Sequence, residues 1–312
     1  ARKVILKLPF IYQVYNDEVY AIIYDVLNLD LSILDEKFCD QDHFVNSARE
    51  DPSKALSIIG NYARKVVDEK VEKPWHLTNI LIEYPSFFIT PELVECYVAI
   101  LCYLCKESDE FFNSQIKNVW QLLVKHTSQT DLQCHKSIYL GLTNLLDINH
   151  EQEVELTIPF EALKNDIKQE ITRDDALAFI YHFGESSENN ANKLQDVELF
   201  NTLFDIAKND GVKNAALILM TLANKNQKLA EGILNAKGGV WMIDPLPDPT
   251  YTLKIFLTIF SYEGLRNQIV KMKSFVPFLN YCLNHLSSPG IITIITAIVR
   301  RVKLDDDLIS KF

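Results

Sequence analysis

Cys102 and Cys105 share the Cys-x-x-Cys spacing of half a zinc site. Zinc takes four ligands in a structural site, so two more donors are needed. Cys96, His126, Cys134 and His135 could supply them on paper, but no second paired motif fixes these residues in place. Cys102-Tyr-Leu-Cys105 also lies in a strongly apolar run, where cysteine acts as a small buried hydrophobe. No metal and no other cofactor is expected.

The remaining candidates for chemistry are weaker. His150-Glu-Gln-Glu153 lacks the second histidine, four residues on, that a metalloprotease helix requires. Gly238-Gly239 is not followed by the Gly-Lys-Ser/Thr that cradles phosphate. Asp305-Asp306-Asp307 stands where acids complement the positive end of a helix, and it does not have the spaced pattern of a calcium loop. No serine, cysteine or lysine stands with a base at a recognisable spacing. The sequence is therefore expected to be non-catalytic.

The elements that carry these residues are helices. Nine glycines and 11 prolines in 312 residues are too few for a sandwich or barrel. Ala215, Ile218, Leu219 and Leu222 lie at i, i+3, i+4 and i+7, one face of a helix that starts after Gly211. With Leu222 as anchor, the same face recurs at Tyr62, Leu104, Leu145, Phe183, Phe260 and Ile298, in steps of 42, 41, 38, 39, 38 and 38 residues. Seven before each anchor stand Ala55, Tyr97, Ile138, Ala176, Ala215, Leu253 and Ile291. A period near forty means that each unit buries its apolar face against its neighbours. The expected fold is all-α, a right-handed solenoid of about seven repeats forming one domain over 1–312. The repeats are clearest over 95–312, and 1–94 reads as divergent N-terminal repeats or a cap. Thr90-Pro91-Glu92 and Ser288-Pro289-Gly290 read as helix starts, and Gly184–Asn192 as a loop between units.

Val212-x-x-Ala-Ala-x-x-Leu-x-x-Leu-Ala223, followed by Ile233, Gly239 and Val240, resembles the armadillo repeat: a long inner helix, a short helix, a glycine bend and a second long helix. Phe260-Ser261, Ile269 and Val276 repeat the pattern, and the longer N-terminal steps are similar to HEAT spacing. The resemblance implies a protein-binding scaffold, adaptor or regulator. An armadillo co-chaperone of the myosin-chaperone or Hsp70-exchange kind is the alternative, since the Ala236–Gly239 bend looks similar there. In armadillo proteins that clamp extended peptides, an inner-helix asparagine holds the ligand backbone and a tryptophan lines its pockets. By register the asparagine column is Asn61, Tyr103, Asn144, His182, Thr221, Ile259 and Ala297. The tryptophan column is Ser57, Ala99, Leu140, Ala178, Leu217, Ile255 and Thr293, with no tryptophan. An asparagine-ladder grip is not expected. The candidate groove is instead Tyr103, Asn144, His182, Leu217, Thr221, Ile255 and Ile259, turning apolar toward its C-terminal half. Such a stripe suits an amphipathic helix of a partner protein; the same side chains could instead pack against the neighbouring unit.

Composition narrows the partners. A formal charge of -11, with no basic stripe interleaved with aromatics, argues against nucleic acid and leaves room for a basic protein segment. Six cysteines within apolar helical stretches suggest reduced thiols and a cytoplasmic or nuclear location. The longest apolar run, Ile291–Val299, is far short of the roughly 20 residues of a membrane span. The apolar helix Ile291–Val299 has only Asp305–Phe312 after it to cover it, so further repeats or a second chain are expected at this end.

Overall fold

The computed structural model describes residues 90–301, apart from 108, 129–130, 149–155, 210 and 288. Among them the chain is all-helical with no strand. It divides into two compact units, 1–162 and 163–312.

In the first unit, α1 (Pro91–Glu107), α2 (Asp109–His126) and α3 (Leu132–Ile148) pack against one another. Thr90 caps α1, its Oγ1 accepting the Leu93 N–H at 3.4 Å, and Pro91 opens the helix as the sequence indicates. The contact between α1 and α3 is close: a β-carbon on Gly141 would lie 2.2 Å from Val98 Cγ1. Cys102 Sγ donates to the Gly141 carbonyl across the same crossing, at 3.6 Å. The indole of Trp120, on α2, donates to the Thr157 carbonyl at 2.7 Å and ties the segment after α3 back onto α2.

The division between units falls inside α4 (Phe160–Asp166). The second unit continues with α5 (Arg173–Ser186), α6 (Glu188–Lys193), α7 (Val197–Asn209), α8 (Lys213–Lys225) and α9 (Gln227–Asn235). After a 3-10 segment (Ala236–Met242) come α10 (Pro249–Ser261), α11 (Glu263–Lys271), α12 (Phe275–Asn284) and α13 (Pro289–Arg301). The long helices α5, α8, α10 and α13 each pack against the next. Their sequence-derived faces are the reason: Ala176, Phe179 and Phe183; Ala215, Ile218 and Leu222; Leu253, Phe256 and Phe260; and Ile291, Ile294 and Ile298 are all buried.

Polar bonds in the second unit join residues 33 to 40 apart in sequence. Lys225 Nζ donates to the Glu185 carbonyl, 40 residues back, and Tyr262 Oη to the Ala223 carbonyl, 39 back. Asn226 Nδ2 reaches Asn192 Oδ1 over 34 residues, and Gln268 Nε2 reaches Asn235 Oδ1 over 33. Bonds of this kind at or near the surface add little stability, but they fix which residue of one helix faces which of another.

Two sequence expectations need correction. The loop expected over Gly184–Asn192 is helical: α5 runs to Ser186, and Ser187 Oγ caps α6 by accepting the Asn190 N–H at 3.0 Å. The second long helix expected after Gly239 is the 3-10 segment, which ends at Met242 before Pro245 and Pro247. Its bend holds Lys237, Gly238 and Gly239 at φ of 52°, 61° and 75°. For Lys237 the left-handed conformation costs about 1–2 kcal/mol. Its N–H, donated to Asn201 Oδ1 at 2.7 Å, and its ammonium, paired with Asp205, offset that cost.

Candidate functional site

Burying one face of each long helix leaves the opposite stripe as the surface a partner can touch. Its two columns lie one and five residues before each anchor. In the first unit, Tyr103 on α1 is half-buried and Asn144 on α3 is exposed. Leu140, one turn before Asn144, is 54% exposed. Register had already put Leu140 in the tryptophan column; its exposure marks it as a surface residue that belongs with the candidates.

In the second unit, His182 on α5 and Leu217 and Thr221 on α8 are half-buried, and Ala178 is exposed. α5 packs against α8, and register puts these residues in the same two columns of the two helices. The Tyr181 ring meets the His182 imidazole edge to face, with centroids 5.6 Å apart at 88°.

Ile255 and Ile259 do not belong to this surface. Both are fully buried, which corrects their place in the candidate groove. α10 is packed by α8, α9, the 3-10 segment, α11 and α13. Thr252 stands one turn before Ile255 on the same stripe, and its Oγ1 accepts the Leu246 N–H at 3.0 Å. That bond ties the Pro-rich loop after the 3-10 segment to α10. The exposed columns resume on α13 with Thr293, and Ala297 is half-buried. Asn61 and the other candidates before residue 90 lie outside the described residues, as do His150–Glu153 and Asp305–Asp307.

Burial pushes the Cys102 and Cys282 thiols up to about 12 and raises the Cys105 thiol as well. These groups are protonated at neutral pH, the less reactive form of a thiol. Burial, with Lys125 beside it, lowers the His126 imidazole to about 4 and keeps it neutral. Among the described residues no group of three His, Cys, Asp or Glu side chains could hold a metal ion. Also among them, no helix is long and apolar enough to cross a membrane.

The cysteine environments predict an order of reaction. In the native protein a thiol reagent should modify the exposed Cys96 quickly. Cys102, Cys105, Cys134 and Cys282, all buried, should react only after denaturation without reductant. Rapid native labelling of Cys102 or Cys105, read by peptide mass, would contradict the helix crossing described above.

No family model, curated protein or solved structure matches the chain. The functional reading therefore rests on the surface itself.

Proposed function

We propose that the chain is an armadillo/HEAT-like solenoid of about seven repeats that acts without catalysis, as a scaffold, adaptor or regulator in the cytoplasm or nucleus. In this reading it binds a partner protein along the exposed stripe of its long helices. The observation that carries the reading is the accessibility of the same two register columns on the packed helices α5 and α8. There His182, Leu217 and Thr221 stand accessible on helices held rigid by packing on their other faces. A rigid, partly apolar stripe beside polar groups is the kind of surface on which a few residues supply most of the affinity. The occupant is an amphipathic helix that lays aliphatic side chains against Leu217 and polar groups toward His182 and Thr221. The layer-to-layer bonds 33 to 40 residues apart support the repeat reading.

The test replaces Leu217→Glu together with Thr221→Lys. This i, i+4 pair suits a helix while removing the apolar surface. Affinity purification with mass spectrometry should recover a stoichiometric partner with the parent chain. The double variant should lose about tenfold or more of that capture while its melting curve stays unchanged. Undiminished capture would place binding elsewhere, and recovery of Hsp70, Hsp90 or myosin would favour the co-chaperone role.

A further inference from the structure

The left-handed bend after α9 lets side chains close on a backbone carbon. Gly239 has a φ of 75°, and a β-carbon built on it would lie 2.3 Å from Met272 Cε, 3.1 Å from Ser274 Oγ and 3.2 Å from Met242 Cε. Met272 and Ser274 therefore reach the same side of the bend. Both come from the turn between α11 and α12, whose backbone is held in place. The Met272 N–H donates to the Ile269 carbonyl, and the Met272 and Ser274 carbonyls accept the N–H groups of Phe275 and Phe278, each at 3.0 Å.

Ser274 stands at the N-cap of α12, where a serine hydroxyl ordinarily accepts an N–H of the first turn. It makes no such bond here. Its Oγ is buried, faces Gly239 and has no hydrogen-bond partner among the described residues. A buried hydroxyl left unpaired costs free energy, so an acceptor placed beside it would be stabilised. The thioether of Met272 is only a weak acceptor. Oxidation would change that, because a sulfoxide carries a polar oxygen. Met272 is half-buried, whereas Met242 is fully buried.

We propose that Met272 is an oxidation site, converted by a peroxide to the sulfoxide, whose new oxygen accepts the Ser274 hydroxyl. The Met272 sulfur attacks a peroxide oxygen: an S–O bond forms and the O–O bond breaks. The departing oxygen takes up the proton of the attacked one and leaves as water or an alcohol. Sulfur loses two electrons and the peroxide gains them. A polar sulfoxide ordinarily disrupts apolar packing, and the bond to Ser274 offsets that cost. It also ties the end of α11 to the start of α12 beside the bend that stacks Trp241 on Phe204. No residue of the partner-binding stripe takes part, so the inference stands apart from the outcome of partner capture.

The test uses the full chain carrying Met220→Leu, which leaves Met242 and Met272 of its three methionines. The protein is treated with dilute hydrogen peroxide and then with a thiol reductant, which restores oxidised cysteines but not the sulfoxide. Peptide mass should show Met272 converted while Met242 stays reduced. Ser274→Ala should leave the melting temperature of the reduced protein unchanged or raised, because the lost hydroxyl made no bond. In the oxidised protein the same change should lower it by several degrees. That reversal of sign marks the bond, since a serine of merely structural role would shift both forms alike. Met272→Leu, a swap of similar volume, should melt alike with and without peroxide. Oxidation of Met242 as fast as Met272, an equal Ser274→Ala shift in both forms, or a peroxide effect that survives Met272→Leu would overturn the proposal.

Discussion

Replacing Ile255 and Ile259 together by aspartate is expected to abolish the cooperative melt of the second unit. Both side chains are fully buried on α10, which packs on both neighbouring long helices. Each change removes an aliphatic side chain at a cost of about 2–5 kcal/mol and leaves a carboxylate with no water around it, costing several more. A domain is stable by only about 5–15 kcal/mol. Circular dichroism on heating should show the transition lost or strongly lowered, and hydrogen exchange should place the loss in α8, α10 and α13. A double variant that melted like the parent would return these residues to the groove.

Gly141→Ala is expected to destabilise the first unit by about 1–3 kcal/mol, because the added methyl would collide with Val98. Its β-carbon would stand 2.2 Å from Cγ1 of a β-branched side chain with few alternative rotamers, so α1 and α3 must move apart. Gly184→Ala is the useful comparison. There the nearest atom, at 2.8 Å, is the tip of the flexible Leu222 side chain, which can swing away. Denaturant melts of the two variants should show the larger loss for Gly141→Ala, with faster hydrogen exchange in α1 and α3. Equal effects would mean that the first crossing is looser than described.

The buried faces were legible because they depend on period alone. Ala176, Ala215, Leu253 and Ile291 recur at steps of 39, 38 and 38 residues, and a helix that repeats its apolar stripe has to bury it. The groove was only half legible. Leu217 and Ile255 are both aliphatic and hold the same register position, yet one is accessible and the other is core. Ile255 lies on α10, which α8, α9, the 3-10 segment, α11 and α13 all pack against, and no periodicity reports those contacts. α6 was hidden for another reason: Glu188-Asn-Asn-Ala-Asn-Lys has little helical propensity and is held by its Ser187 cap and by the burial of Asn190 and Ala191. The 3-10 segment replaced an expected long helix where Pro245 and Pro247 stop propagation.

The most direct test of the partner-binding stripe is site-specific photo-crosslinking. A photoreactive phenylalanine analogue would be placed at Leu217, or at the exposed Glu231 of α9 as control, and irradiated with the captured partner. Strong crosslinking from position 217 with little from 231 is the result predicted for a partner seated along α5 and α8. Crosslinking from 231 and none from 217 would contradict it.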